Sequence, residues 1–151
     1  MKSVTPFLWF DDNLEEAIEL YTSLFPEAKV GGINRGPDGR AFSADFELAG
    51  QAFKALNGGP QFPFTEAVSF FVECDDQAEV DQYWTSLIAG GGEPGRCGWL
   101  KDRFGLSWQI VPSRFLELMS TGTPEQVGRV MVALQAMDKL DVAALEAAHA
   151  G

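Results

Sequence analysis

The chain has one histidine, two cysteines and half as many basic as acidic side chains, 11 against 22. Each shortage removes a class of function. The histidine, His149, lies two residues from the C-terminus, where fraying is the ordinary expectation, so it is a poor candidate for a catalytic or metal-binding core. Cys74 and Cys97 are too few to build a disulfide framework, and a cytoplasmic, reducing setting is the expected one. A net charge of −11 repels phosphate backbones and anionic lipid, so neither nucleic acid nor membrane is an expected partner. No run approaches the ~18 apolar residues of a membrane-spanning helix. Met1-Lys2-Ser3 leads into a strand-like segment rather than a secretory signal core. What is present is a core: 46% of the chain is hydrophobic, with 12 Phe and 4 Trp, enough to fold without covalent staples.

The chain also repeats itself. Thr22-Ser23-Leu24 recurs as Thr85-Ser86-Leu87, 63 positions later. The same offset places Phe7 on Phe70, Asp12 on Asp75, Glu16 on Glu79, Ala17 on Val80, Tyr21 on Trp84 and Phe25 on Ile88. Ala17, Tyr21, Leu24 and Phe25 follow the i, i+4, i+7, i+8 spacing of one helix face, and Val80, Trp84, Leu87 and Ile88 repeat it. Asn13 with Glu16 and Asp76 with Glu79 each read as a capping box. Helices are therefore expected over 13–25 and 76–89.

Each helix follows an apolar strand, "VTPFLWF" in the first copy and "EAVSFFVEC" in the second. Strands are then expected at 28–35, 41–48 and 51–57, the last two joined by an Ala49-Gly50 turn. Along 41–48, Phe42, Ala44, Phe46 and Leu48 alternate with polar residues, as in a strand buried on one face. The second copy has strands at 95–102 and 106–112. After Pro112 come three helical segments: 113–119, one capped by Thr123-Pro124-Glu125-Gln126, and one beginning after Asp141. The expected organisation is α+β in one domain over 1–151: modules at 1–63 and 64–112, then a helical tail at 113–151.

A tandem βαβββ unit resembles the vicinal oxygen chelate fold of glyoxalase I, extradiol dioxygenases and bleomycin-resistance proteins. The segments "TPFLWFDDNLEEAIELYTSLFP", "LNGGPQFPFTEAVSFFVECDDQAEVDQYWTSL", "CGWLKDRFGLSWQIVP" and the "MDKLDVAALEAA" ending resemble the PhnB-like branch, often labelled 3-demethylubiquinone methyltransferase-like. The resemblance implies modules whose mixed sheets curl into a cup, usually in a homodimer. The tail's Met119, Met131 and Met137 suggest an apolar face that a partner would cover.

Metal-dependent relatives hold an ion with His and Glu from four strands. Carried onto this chain, those positions fall at Thr5 or Pro6, Val68 or Ser69, within Lys54–Asn57, and at Gln109. None offers an imidazole or carboxylate, and neutral oxygens hold a transition ion weakly, so neither metal nor cofactor is expected. Asp11-Asp12 and Asp75-Asp76 sit where helix caps explain them. The "GGGEPG" stretch at 90–95 satisfies G-x-G-x-x-G but follows a helix and precedes a strand, the reverse of a dinucleotide site, and reads as a loop. Cys97, near Arg96, Lys101 and Arg103, is a possible reactive thiol but is better explained as a strand residue.

What remains is aromatic. Strand alternation puts Phe7 and Trp9 on one face, Phe70 and Val72 on the matching face, and Trp99 with Lys101 on another; Gln109 faces inward by the metal-position analogy. Phe7, Trp9, Asn57, Phe70, Trp99, Lys101 and Gln109 are the expected lining of a cup that binds a small organic ligand. Two other readings stay open: a metal-dependent glyoxalase- or dioxygenase-type enzyme acting on a small oxygenated or quinone-like substrate, and an accessory protein whose tail helices contact a partner.

Overall fold

The computed structural model describes all 151 residues. They form two compact units, Met1–Phe64 and Thr65–Gly151. The first contains β1 (Phe7–Phe10), α1 (Leu14–Leu24), β2 (Lys29–Arg35), β3 (Ala41–Leu48) and β4 (Gln51–Asn57). The second contains β5 (Ser69–Cys74), α2 (Gln77–Ile88), β6 (Glu93–Pro94), β7 (Trp99–Lys101) and β8 (Ser107–Pro112), followed by α3 (Ser113–Thr121), α4 (Pro124–Gln135) and α5 (Val142–Ala150). The sheet orders are β1-β4-β3-β2 and β5-β8-β7-β6, the same permutation in both units. Each sheet is mixed and open: the first and last strands of a module run parallel, and the other pairs are antiparallel. The fold is therefore α+β, with the βαβββ module repeated.

In the first unit α1 buries Leu14, Ala17, Ile18 and Tyr21. Beneath it lie Leu8, Phe10, Phe46, Phe53 and Ala55, with Phe46 and Phe53 stacked at 5.1 Å. The turn between β3 and β4 uses two left-handed residues, Ala49 at φ 47° and Gly50 at φ 82°. That handedness matches the strand twist of a two-residue hairpin. Phe42 departs from the expected one-sided burial of β3: it is 60% exposed, whereas Ala44, Phe46 and Leu48 are buried.

In the second unit α2 buries Val80, Tyr83, Trp84 and Leu87 over Leu100, Trp108 and Ile110. The expected strand at 95–102 shrinks to Trp99–Lys101, because Cys97 and Gly98 adopt φ 59° and 85° in a turn. Cys97 is thus a turn residue, its N–H donating to Met137 O at 2.9 Å. Within the glycine-rich stretch, Glu93 and Pro94 form the edge strand β6, paired with Lys101 and Leu100.

The tail belongs to the second unit. Leu118, Val130, Leu134, Leu140 and Leu145 bury around Val111, and Met119, Met131 and Met137 pack half-buried against them. The tail's apolar face is therefore covered within the chain, which removes the reason its methionines gave for a partner. Gln77 at the start of α2 ties the tail down: its amide nitrogen donates to Leu140 O at 3.0 Å and its oxygen accepts Val142 N–H at 2.7 Å.

Candidate functional site

The helices of the two modules match at an offset of 63, starting at Leu14 and Gln77. The strands before them match at 64, ending at Phe10 and Cys74. The difference lies in the caps. Asp76 accepts Glu79 N–H at 2.9 Å through its own side chain. Asn13 makes no side-chain cap, and the link from β1 to α1 is one residue longer. The amide of Asn57 does that work instead, accepting Leu14 N–H at 3.0 Å and donating to Ala41 O at 3.0 Å.

One residue of slip in a strand exchanges its faces. Phe70 is accordingly on the helix side, edge-on to buried Trp108 at 5.3 Å. Its place on the open face is taken by Phe71, 51% exposed, the counterpart of Phe7 at 56%. This corrects Phe70 as a lining residue. Asn57 borders a concavity of about 440 Å3 in the first unit rather than this face, and both ends of its amide serve as cap and brace.

Directly paired residues of neighbouring strands point to the same face. On the open face of the second sheet the pairing makes two rows. One is Phe71–Gln109–Trp99; the other is Ser69–Ser107–Lys101–Glu93. Gln109 Nε2 donates to Ser69 Oγ at 2.9 Å, bracing the rows. The polar row borders a concavity of about 420 Å3 whose walls include Glu66, Glu93, Arg96, Trp99, Lys101 and Ser107. Lys101 Nζ is ion-paired with Glu66. The hydrogen bond and charge of Glu66, with a smaller contribution from Glu93, hold the ammonium above its ordinary pKa, while the hydrogen bond from Lys101 holds the Glu66 carboxyl below the usual range. Ser107 is 1% exposed, and its hydroxyl has no hydrogen-bond partner.

Two residues that shape this face were not singled out in the sequence. Ser107 is one. Asp102 is the other, 3% exposed: Oδ1 accepts the N–H groups of Phe104 at 2.9 Å and Leu106 at 3.0 Å, and Oδ2 accepts Trp108 Nε1–H at 3.0 Å. It closes the turn between β7 and β8. The only sequence signal for it is an Asp opening a Gly-containing turn, a pattern common to many turns.

The open face of the first sheet carries Phe7 and Trp9, as expected. Trp9 Nε1 donates to Gly59 O at 2.9 Å, and its ring meets Phe62 edge-on at 5.1 Å. A Cβ on Gly58 would lie 2.3 Å from the Trp9 ring, so glycine is what admits the indole here. Lys54 pairs with Asp45 at 2.8 Å and Asn34 Nδ2 donates to Ser43 at 3.0 Å, so the polar groups of this face serve one another.

A divalent metal does not fit. Lys54 and Gln109 occupy matching strand positions, opposite Phe7 and Phe71. One is an ammonium held by a carboxylate and the other an amide held by a hydroxyl. No group of three or more His, Cys, Asp or Glu converges anywhere in the chain. The 90–95 stretch runs from the end of α2 into β6, with no helix start to receive a pyrophosphate. Cys74 is fully buried, and burial, with nearby carboxylates, pushes its thiol up to about 12.

Comparison with known proteins places this architecture. A family model described as 3-demethylubiquinone-9 3-methyltransferase matches residues 2–111. The PhnB protein of Bacillus cereus is 31% identical, with a TM-score of 0.69 over 74% of this chain and 99% of its own. Protein PA1353 of Pseudomonas aeruginosa is 19% identical, with a TM-score of 0.61 over 74% and 98%. The fosfomycin resistance protein FosX of Listeria monocytogenes, solved with Mn(II) and sulfate, is 17% identical, with a TM-score of 0.50 over 72% and 89%. None of the curated proteins matches. The family match ends at residue 111, so the "MDKLDVAALEAA" ending and the helical tail lie outside it. Through its matched 2–111 span and its likeness to the Bacillus cereus protein, the chain belongs to the PhnB-like, 3-demethylubiquinone-9 3-methyltransferase family.

Proposed function

We propose that the chain binds a small organic molecule, without metal, on the open face of its second sheet. The observation carrying this reading is Ser107: a buried hydroxyl without a partner, beside Lys101 and Trp99, at a concavity of about 420 Å3. Small-molecule sites occupy about 300–1,000 Å3 and combine apolar walls with a few placed polar groups. A buried hydroxyl lacking a hydrogen bond costs roughly 1–3 kcal/mol, and a ligand that supplies the bond recovers it. Trp99 and Phe71 offer aromatic rings, Lys101 a charge and Gln109 a braced amide. The first unit also has concavities, of about 440 and 470 Å3, but neither is lined by a buried polar atom that lacks a partner.

The donor set supports binding rather than metal-assisted turnover, because the matching strand positions carry an ammonium and an amide rather than carboxylates or imidazoles. The reading includes a cytoplasmic protein acting as a homodimer, following the family's habit. A thermal-shift screen of the tag-free protein against aromatic, quinone and thiol compounds tests it, since a ligand of the native state raises the melting point by mass action. The expected result is a set of hits whose shift disappears in Trp99→Ala. A panel without hits, hits that Trp99→Ala leaves intact, or stoichiometric divalent metal in the purified protein would overturn the reading.

A further inference from the structure

Glu66 precedes β5, outside both open-face rows, yet its carboxylate lies on Lys101. The side chains of this pair are 60% and 39% exposed. An ion pair that open to water contributes only about 0.2–1 kcal/mol, so Glu66 is readily displaced. It also shows what the position accepts: a carboxylate already occupies the lysine.

The neighbouring groups narrow the choice further. Glu93 stands directly across from Lys101 in the β6–β7 pairing, and its charge reaches the ammonium. Arg96 is committed elsewhere, donating to Gln135 O at 2.5 Å and pairing with Asp138 at 3.2 Å. Arg96 thus has two partners, a backbone carbonyl and a carboxylate, whereas Lys101 has Glu66 alone and faces the charge of Glu93. A single negative charge replaces Glu66 on even terms; a dianion brings a second negative charge beside Glu93. Ser107, the direct cross-strand partner of Lys101, supplies a hydroxyl for the second oxygen of a carboxylate. The adjoining Phe71–Gln109–Trp99 row supplies two aromatic rings for an apolar body attached to that carboxylate.

We infer that this face selects a flat organic acid with a single carboxylate, and that Glu66 is a built-in competitor which the acid displaces from Lys101. The inference rests on the binding reading above and adds the ligand's charge and the role of Glu66.

Calorimetry on the full-length protein tests it with three probes that share one ring system: 2-naphthoate, 2-naphthamide and 2-naphthylphosphonate. The parent should bind naphthoate more tightly than the amide or the phosphonate at pH 7.5. Glu66→Gln should tighten naphthoate about two- to fivefold, the range that displacement of an exposed ion pair allows, and leave naphthamide unchanged. Lys101→Met should erase the preference for naphthoate over naphthamide, and Ser107→Ala should weaken naphthoate at least threefold. Equal tightening of acid and amide by Glu66→Gln, or a phosphonate that binds as tightly as the carboxylate, overturns the inference while leaving a binding face in place. If none of the three binds, or all bind Trp99→Ala as they bind the parent, the binding reading fails and the inference with it. Circular dichroism of each variant confirms that a lost affinity is not a lost fold.

Discussion

Asp102→Asn removes a single charge and changes almost no volume, yet it should be among the more damaging substitutions in the chain. The carboxylate is 3% exposed and accepts three N–H groups, two on Oδ1 and the Trp108 indole on Oδ2. An asparagine with its oxygen toward Phe104 and Leu106 turns an NH2 against the indole N–H. Flipping the amide satisfies the indole but sets the NH2 against two backbone donors. Either way a buried donor loses its acceptor and faces another donor, and the remaining bonds lose their charge assistance. Hydrogen bonds to charged groups contribute about 1.5–3 kcal/mol and an unsatisfied buried donor costs roughly 1–3 kcal/mol. The terms overlap, so the expected loss is about 2–4 kcal/mol, against a total stability on the order of 5–15 kcal/mol. Urea denaturation at pH 7, followed by tryptophan fluorescence, measures it: the midpoint should fall with the slope unchanged. Asp102→Ala should cost somewhat more, about 3–5 kcal/mol, because it adds a cavity to the lost acceptors. A loss below about 0.5 kcal/mol for Asp102→Asn would refute the reasoning, since surface substitutions typically fall in that range.

Four further outcomes follow from contacts at Asn57, Cys74 and Gln77. Asn57→Ala should destabilise the fold by about 1–3 kcal/mol in urea melts, through the lost α1 cap and the uncovered Ala41 carbonyl, and leave ligand affinity unchanged in calorimetry. Cys74, with its thiol pushed up to about 12, should resist Ellman's reagent at pH 8 in the native protein and react only in denaturant; native labelling of two thiols would contradict its placement. A thiol whose folded pKa is raised holds its proton longer in the native than in the unfolded chain, so its contribution is intact below about 8.5, the unfolded value, and is lost as pH climbs toward about 12. Cys74→Ala should therefore flatten the alkaline fall of stability in that window, and an unchanged slope would count against the shift. Gln77→Ala should cost about 1–3 kcal/mol and raise hydrogen exchange in α5 before the sheets, because Gln77 holds both Leu140 O and Val142 N–H.

The repeat was legible because helix periodicity, cap chemistry and the Thr-Ser-Leu echo agree over a dozen residues. The two modules' sheets and helices follow from it, while the tail helices were legible from their own caps at Thr123 and Asp141. The face of β5 was not legible, and the reason is local. The 63-residue offset is anchored in the helices, and nothing in Asp11-Asp12-Asn13 against Asp75-Asp76 announces that the first link is one residue longer. A helix tolerates such a slip, since its apolar stripe is broad; a strand exchanges its faces. Phe70 and Phe71 are chemically identical, so composition could not choose between them. Asn57 misled for a related reason: its cap partner Leu14 is 43 residues away in sequence, a contact that only the fold creates. The shared face of Trp99 and Lys101 was readable because β7 and β8 pair without a bulge, so alternation holds along both strands. The short β6 could not be foreseen, since Glu93-Pro94 pairs only at a sheet edge, where proline's missing N–H costs nothing.

The most direct test of the central claim is chemical-shift mapping of the full-length, 15N-labelled protein with the strongest hit of the thermal screen. A ligand on the second sheet's open face should move the amides of Phe71, Lys101, Ser107 and Gln109 and the indole N–H of Trp99 in a saturable way, leaving Phe7, Lys54 and the Trp9 indole still. Saturable shifts confined to the first unit or to the tail helices, with the Trp99 and Ser107 signals unmoved, would contradict it.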